Sequence, residues 1–246
     1  GYSLGRMMAA GAVVAGSLLA AGGHRAGASE VSSSSDWLGE INYYRAASGL
    51  APVSDTPAWD QGIANHLVYL ARTPPAEMSG QYASLHTENP ASPFYTSSGA
   101  QEAGSSDLYP TGAKDTPVGF IDGWLTAPFH AIGMLRSQLQ QVAFDTDPNY
   151  GGAGLDIISG LNPSAPAAAG PVRFPRPYTS TDLYSYGGES PDPLETCGWQ
   201  NLTSPVGLGI TMLLPSAPSP SLSATLSGPA GAAASSAAGS LCVVDE

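Results

Sequence analysis

Ile41-Asn42-Tyr43-Tyr44-Arg45, followed by Gly49-Leu50-Ala51-Pro52-Val53, decides how the rest of the chain is organised. Trp37, Ile41, Tyr44 and Ser48 fall at i, i+4, i+7 and i+11, the apolar stripe of a helix capped by Asp36 and ended by Gly49. A second helix is expected with Thr56 as N-cap and Pro57 at its first position. Its stripe is Trp59, Ile63, Leu67 and Leu70, and Thr73-Pro74-Pro75 stops it. Residues 74–115 are rich in Gly, Ser, Pro and Tyr, an irregular stretch of the length that often carries function. Thr116-Pro117 opens a third helix bearing Val118, Ile121, Trp124 and Leu125. Pro128 interrupts it, and a further turn carries Ile132, Met134 and Leu135. Strands are expected at Gln141 to Asp145 and Ala153 to Ile158.

Composition changes at Leu161. Five prolines between Pro163 and Pro177 read as an extended linker over 161–178. Beyond it, Val206 to Leu214, Ser221 to Leu226 and Leu241 to Val244 read as strands of a small β-rich module spanning 179–246. At the other end, Arg6 precedes an apolar run from Met7 to Gly23, and Ala26-Gly27-Ala28 supplies a small-x-small cleavage pattern. These features predict a secretory signal over 1–28 and a Ser-rich linker over 29–35, with no stable membrane span once the signal is removed. The expected location is secreted or cell envelope, and abundant Ala, Gly and Pro, with Arg as seven of the eight basic residues, suggest a bacterial source.

Lys plus Arg number 8 against Asp plus Glu 20, a formal charge of −12. Neutralising a nucleic-acid backbone requires clustered basic residues, so a nucleic-acid partner is not expected. Docking on an anionic membrane surface is disfavoured for the same reason. The two cysteines, Cys197 and Cys242, are expected to pair after export into an oxidising compartment. The bridge would close a loop of about 45 residues and contribute about 3–4 kcal/mol by loop entropy.

The motifs fall in the order found in one family. The N-x-x-R pair Asn42 and Arg45 before Gly49-Leu50-Ala51-Pro52 resembles the first helix of CAP (SCP/PR-1-like) domains. Ala64-Asn65-His66 with Tyr69-Leu70-Ala71 resembles their second helix. His86-Thr87-Glu88-Asn89-Pro90 stands where these domains carry a cleft histidine. Gly99 with Glu102 lies near their G-E-N segment, and Trp124-Leu125-Thr126-Ala127-Pro128-Phe129-His130 resembles the W-x-x-S-P-x-H-R box. The resemblance implies an α+β fold, a CAP-like α-β-α sandwich over 36–160 followed by the β-rich module. It further implies a cleft lined by His86, His130, Glu88 and Glu102. His66, at the margin of an apolar stripe, is read as a packed histidine, with a fifth cleft residue as the alternative. The sequence departs from the family pattern where Ala100 follows Gly99 and Ala131 follows His130.

Two imidazoles with carboxylates could hold a divalent ion such as zinc, with His86 and His130 as ligands. Without metal they form a proton-exchanging polar cluster. A G-x-S-x-G elbow, an H-E-x-x-H pair and a P-loop are all absent from the sequence. The resemblance implies an extracellular binding or interaction protein, with a lipid or envelope component as ligand. The alternative is a hydrolase, metal-assisted or not, that uses His86 and His130 with Glu88 or Glu102.

Overall fold

The computed structural model describes residues 9–13, 36–199, 201, 206–216, 223–227, 233–235 and 242–245. In chain order the elements are β1 (Ala9–Val13), α1 (Trp37–Ala47), β2 (Ser54–Asp55), α2 (Asp60–Arg72), α3 (Ser97–Ala103), β3 (Ser106–Tyr109), α4 (Pro117–Thr126) and α5 (Pro128–Met134). They continue with β4 (Gln141–Thr146), β5 (Ala153–Asp156), β6 (Val172–Phe174), β7 (Gly209–Leu213), β8 (Thr225–Ser227), β9 (Ala233–Ser235) and β10 (Cys242–Asp245). The fold is α+β. No helix among the described residues is long and apolar enough to cross a membrane.

One sheet has the order β2-β4-β5-β3, and its side chains sort to two faces. Successive residues of a strand point to opposite sides. Val142 and Phe144 of β4 and Leu155 of β5 join the main core with Ile41 and Tyr44 of α1, and with Phe120, Ile121, Trp124 and Leu125 of α4. Ala143 faces the other way, against Ile63 and Leu67 of α2. Gly154, also on that face, leaves room for Ile63: a Cβ there would come within 2.6 Å of Ile63 Cγ2. Helices therefore cover both faces, the layering of an α-β-α sandwich.

Local chemistry explains most of the helix ends. Asp36 accepts a hydrogen bond from the Gly39 amide at 2.9 Å, and Thr116 accepts one from Gly119 at 3.0 Å with Pro117 behind it. Thr56 and Pro57 do not start α2. They form a turn closed by the Trp59 amide donating to Thr56 O, and the helix begins at Asp60. The stretch 74–115, expected to be irregular, contains α3 and β3, both too short to leave a periodic signature.

The C-terminal region differs from the linker-plus-module expectation. Val172 and Phe174, inside the Pro-rich stretch, form β6 and are buried in the main core. A second sheet runs β10-β1-β7-β6, and β8 pairs with β9. β10 is tied to the 3₁₀ turn Pro193–Cys197 by the Cys197–Cys242 disulfide, as expected. β1 comes from the apolar N-terminal run and lies between β7 and β10. The rest of that run, the Ala26-Gly27-Ala28 pattern and the 29–35 linker lie outside the described residues. Of the strand expected from Ser221 to Leu226, residues 221 and 222 lie outside the described residues, and Thr225 and Leu226 belong to β8.

Candidate functional site

His130 sits in the first turn of α5, just after the Pro128 that restarts the helix. Its Nδ1 is 2.7 Å from Glu189 Oε2, and the Glu189 side chain is 1 % exposed. The same carboxylate accepts from the amides of Phe129 and His130, at 3.1 and 3.2 Å. Glu189 thus caps the start of α5 and orients its imidazole with one side chain. The Glu189 loop is held in turn by Tyr186, whose hydroxyl accepts from the Glu189 amide at 3.0 Å and donates to Asp192 at 3.1 Å. Tyr186 packs on the small cluster of Leu194 and Val206. The C-terminal region therefore supplies a residue to a site whose other parts lie between α3 and α5.

Asp107, on β3, is buried and faces His130, Arg136 and Glu189. Burial lifts its carboxyl to about 7, against the pull of His130 and Arg136. Burial alone would lower the His130 pKa. The hydrogen bond His130 donates to Glu189 and the charges of Asp107 and Glu189 outweigh that and leave it raised. His86 lies on the exposed loop before Glu88, with Nδ1 3.0 Å from the Ala103 carbonyl at the end of α3. Its pKa is lowered, by partial burial first and then by the charges of His130 and His66. His86 and His130 thus occupy one electrostatic neighbourhood. Each is anchored through Nδ1, which leaves Nε2 as the group available to a ligand.

The two expected carboxylates are used elsewhere. Glu88 is buried and bonds His66 Nδ1 at 2.9 Å through Oε1, while Oε2 accepts from the Thr96 amide at 3.2 Å. His66 Nε2 donates to Leu85 O, 2.8 Å away. Both nitrogens of this fully buried ring are occupied, so it is a packed histidine, though a polar one. It ties α2 to the loop that carries His86. Gly99 belongs to the same knot, because a Cβ there would come within 2.5 Å of Glu88 Oε1.

Glu102 lies one turn further along the same α2-facing side of α3, against Gly62 of α2, where a Cβ would meet Glu102 Cγ at 2.6 Å. Glu102 Oε2 and Asp156 Oδ2 are both buried with no other hydrogen-bond partner. Burial first, and then Asp156, raise the Glu102 carboxyl to about 8. Glu102 is therefore protonated near neutrality and donates toward the Asp156 carboxylate.

Among the described residues no three His, Cys, Asp or Glu side chains are grouped to hold an ion. Glu88 and Glu102 are committed to His66 and Asp156. His86 and His130 keep the Nδ1 anchoring typical of ligand histidines, but a complete zinc shell is not assembled around them.

Residues 38–154 match the family model described as the cysteine-rich secretory protein family, CAP. The chain carries a CAP domain. No curated protein and no solved structure matches it. Asn42 and Arg45, the first motif pair, have structural roles in this domain. Asn42 exchanges two hydrogen bonds with the Val53 backbone, at 2.8 and 3.0 Å. Buried Arg45 donates to the carbonyls of Ala51, Met134, Arg136 and Leu139 at 2.6–3.1 Å. Glu189 lies beyond the matched segment, and neither periodicity nor a local motif marks it. Asp107 sits in a four-residue strand with no sequence signal of its own.

Proposed function

We propose that this CAP-domain chain is an exported binding protein whose cleft, around His86, His130, Asp107 and Glu189, receives a polar group of an envelope or lipid ligand. Export is supported by the signal pattern in 1–28 and by the Cys197–Cys242 bridge. Cleavage after Ala28 would also remove β1 and leave β7 and β10 as sheet edges that must re-pair or be covered.

One observation carries the binding reading. Both imidazoles are anchored at Nδ1, while among the described residues no hydroxyl or thiol is hydrogen-bonded to either ring. Such rings can donate to or accept from a ligand, and among the described residues neither is paired with a hydroxyl or thiol in the manner of an activated side-chain nucleophile. A hydrolase remains the second reading, favoured by the Glu189–His130 pair, in which a buried carboxylate orients a potential general base.

Chain recovered from the culture medium should carry a small molecule that mass spectrometry detects after solvent extraction. His86→Ala and His130→Ala should each weaken its rebinding by about tenfold, the loss of one charge-assisted hydrogen bond. Turnover of an ester, peptide or glycoside substrate that His130→Ala abolishes would instead establish the hydrolase. If neither a bound molecule nor turnover is found, both readings fail.

A further inference from the structure

A second cavity, of about 330 Å³, shares no residue with the histidine cleft. It lies between the C-terminal end of α1, at Ser48, Gly49 and Leu50, and the segment Ala168–Arg173 with Arg176. Two of the eight basic residues in a chain of net charge −12 thus line one small space. Neither Arg173 nor Arg176 has a carboxylate partner among the described residues. Twenty acidic residues are available to the sequence, yet among the described residues none pairs with either arginine lining this cavity.

The cavity wall is adapted to one of these side chains. Gly49 has φ +79°, the left-handed conformation in which glycine avoids strain, and Arg176 lies directly against it. A Cβ on Gly49 would come within 3.2 Å of Arg176 Nη1. Ser48 also lines the cavity, is 8 % exposed, and its hydroxyl has no hydrogen-bond partner. A buried hydroxyl without a partner costs stability, so a ligand group that pairs with it would recover that cost.

We infer that this cavity is a binding site for a small soluble phosphomonoester. Two guanidinium forks and one hydroxyl offer enough donors for the three terminal oxygens of such a group, whereas a carboxylate has two. The volume exceeds that of phosphate alone, and Leu50, Ala168 and Pro171 provide an apolar wall for the organic part. The strongly negative chain favours a free ester over one displayed on an anionic membrane, because the whole molecule is repelled from such a surface. One bound phosphate needs only local charge, unlike a nucleic-acid backbone.

The test is calorimetric titration of the full chain with inorganic phosphate and with glycerol 3-phosphate, plus sedimentation with phosphatidic acid vesicles. Saturable binding of glycerol 3-phosphate, tighter than inorganic phosphate, is expected. Arg173→Gln and Arg176→Gln should each weaken it by about tenfold or more, the loss of a charge-assisted contact. Ser48→Ala should weaken it less, and His130→Ala should leave it unchanged. Arg176→Lys should retain part of the affinity, which separates lost charge from misfolding, and thermal unfolding of each variant checks the fold. Absence of saturable binding by both soluble probes would overturn the site, as would binding indifferent to both arginine substitutions. Binding to vesicles alone would overturn the assignment to a soluble ester. If Arg176→Gln lowers only thermal stability, the arginine serves the end of α1 and the inference is wrong.

Discussion

Arg45 shows why a motif residue can be structural rather than functional. Burial lowers its pKa to about 10, yet at neutral pH it remains charged and feeds four backbone carbonyls. Those carbonyls belong to the turn after α1 and to the segment joining α5 to β4, so one side chain fixes where three elements meet. Replacing it with Met leaves them unmatched. Each buried acceptor left unmade costs about 1–3 kcal/mol, so Arg45→Met should destabilise the chain by about 3 kcal/mol or more in urea unfolding. Glu102 is the opposite case, a carboxyl kept neutral. Its folded pKa of about 8 lies above the ordinary 4.5, so the folded state holds a proton that the unfolded state releases. Stability should therefore fall as pH rises from about 4.5 to about 8 and level off above that. Glu102→Gln keeps a donor toward Asp156 without the titration. Thermal unfolding across this range should show a flatter profile and a higher Tm than the parent at the alkaline end.

The elements around the site are short, and their placement depends on side-chain ties rather than on length. α3 has seven residues, begins with the Thr96 hydroxyl accepting from Gly99, and is held to α2 through Glu88 and His66. Gly99→Ala would push a methyl group into Glu88 Oε1 and disturb a buried, fully hydrogen-bonded pair. A loss of about 1–3 kcal/mol is expected in chemical denaturation, with the His86 loop losing amide-exchange protection first. α3 also marks the limit of what the sequence discloses. α1 and α4 were legible because a cap, an apolar period and a stop signal coincide over ten or more residues. α3 and β3 are four to seven residues long, and Gly, Ser and polar neighbours mask any period. Thr56-Pro57 carries a helix-start signal, yet tertiary pairing of the Thr56 amide with Val142 O fixes a turn there instead.

Across the whole molecule, the CAP segment and the C-terminal region are not independent. β6 places Phe174 edge-on to Tyr44, with ring centroids 5.5 Å apart, and Glu189 enters the site from the same region. The order of motifs made the sandwich legible. The site was legible only in its histidines, because Glu189 reaches His130 across 59 residues and no local pattern encodes such a contact. The disulfide spans 45 residues and lies wholly after Glu189, joining the Pro193–Cys197 turn to β10. Reduction should lower stability by about 2–4 kcal/mol, with amide exchange accelerating in β10 and the Pro193–Cys197 turn before α1 or β4.

Completion of the CAP cleft by a carboxylate outside the matched segment is the claim on which the site depends. NMR titration of the His130 imidazole in the full chain tests it directly, with Glu189→Gln as the comparison. The account predicts a parent pKa above the ordinary 6.5 and a clear fall in Glu189→Gln, with His130-linked stability correspondingly lost as pH rises through the parent value. An unshifted parent value, or one that the substitution leaves in place, would contradict it.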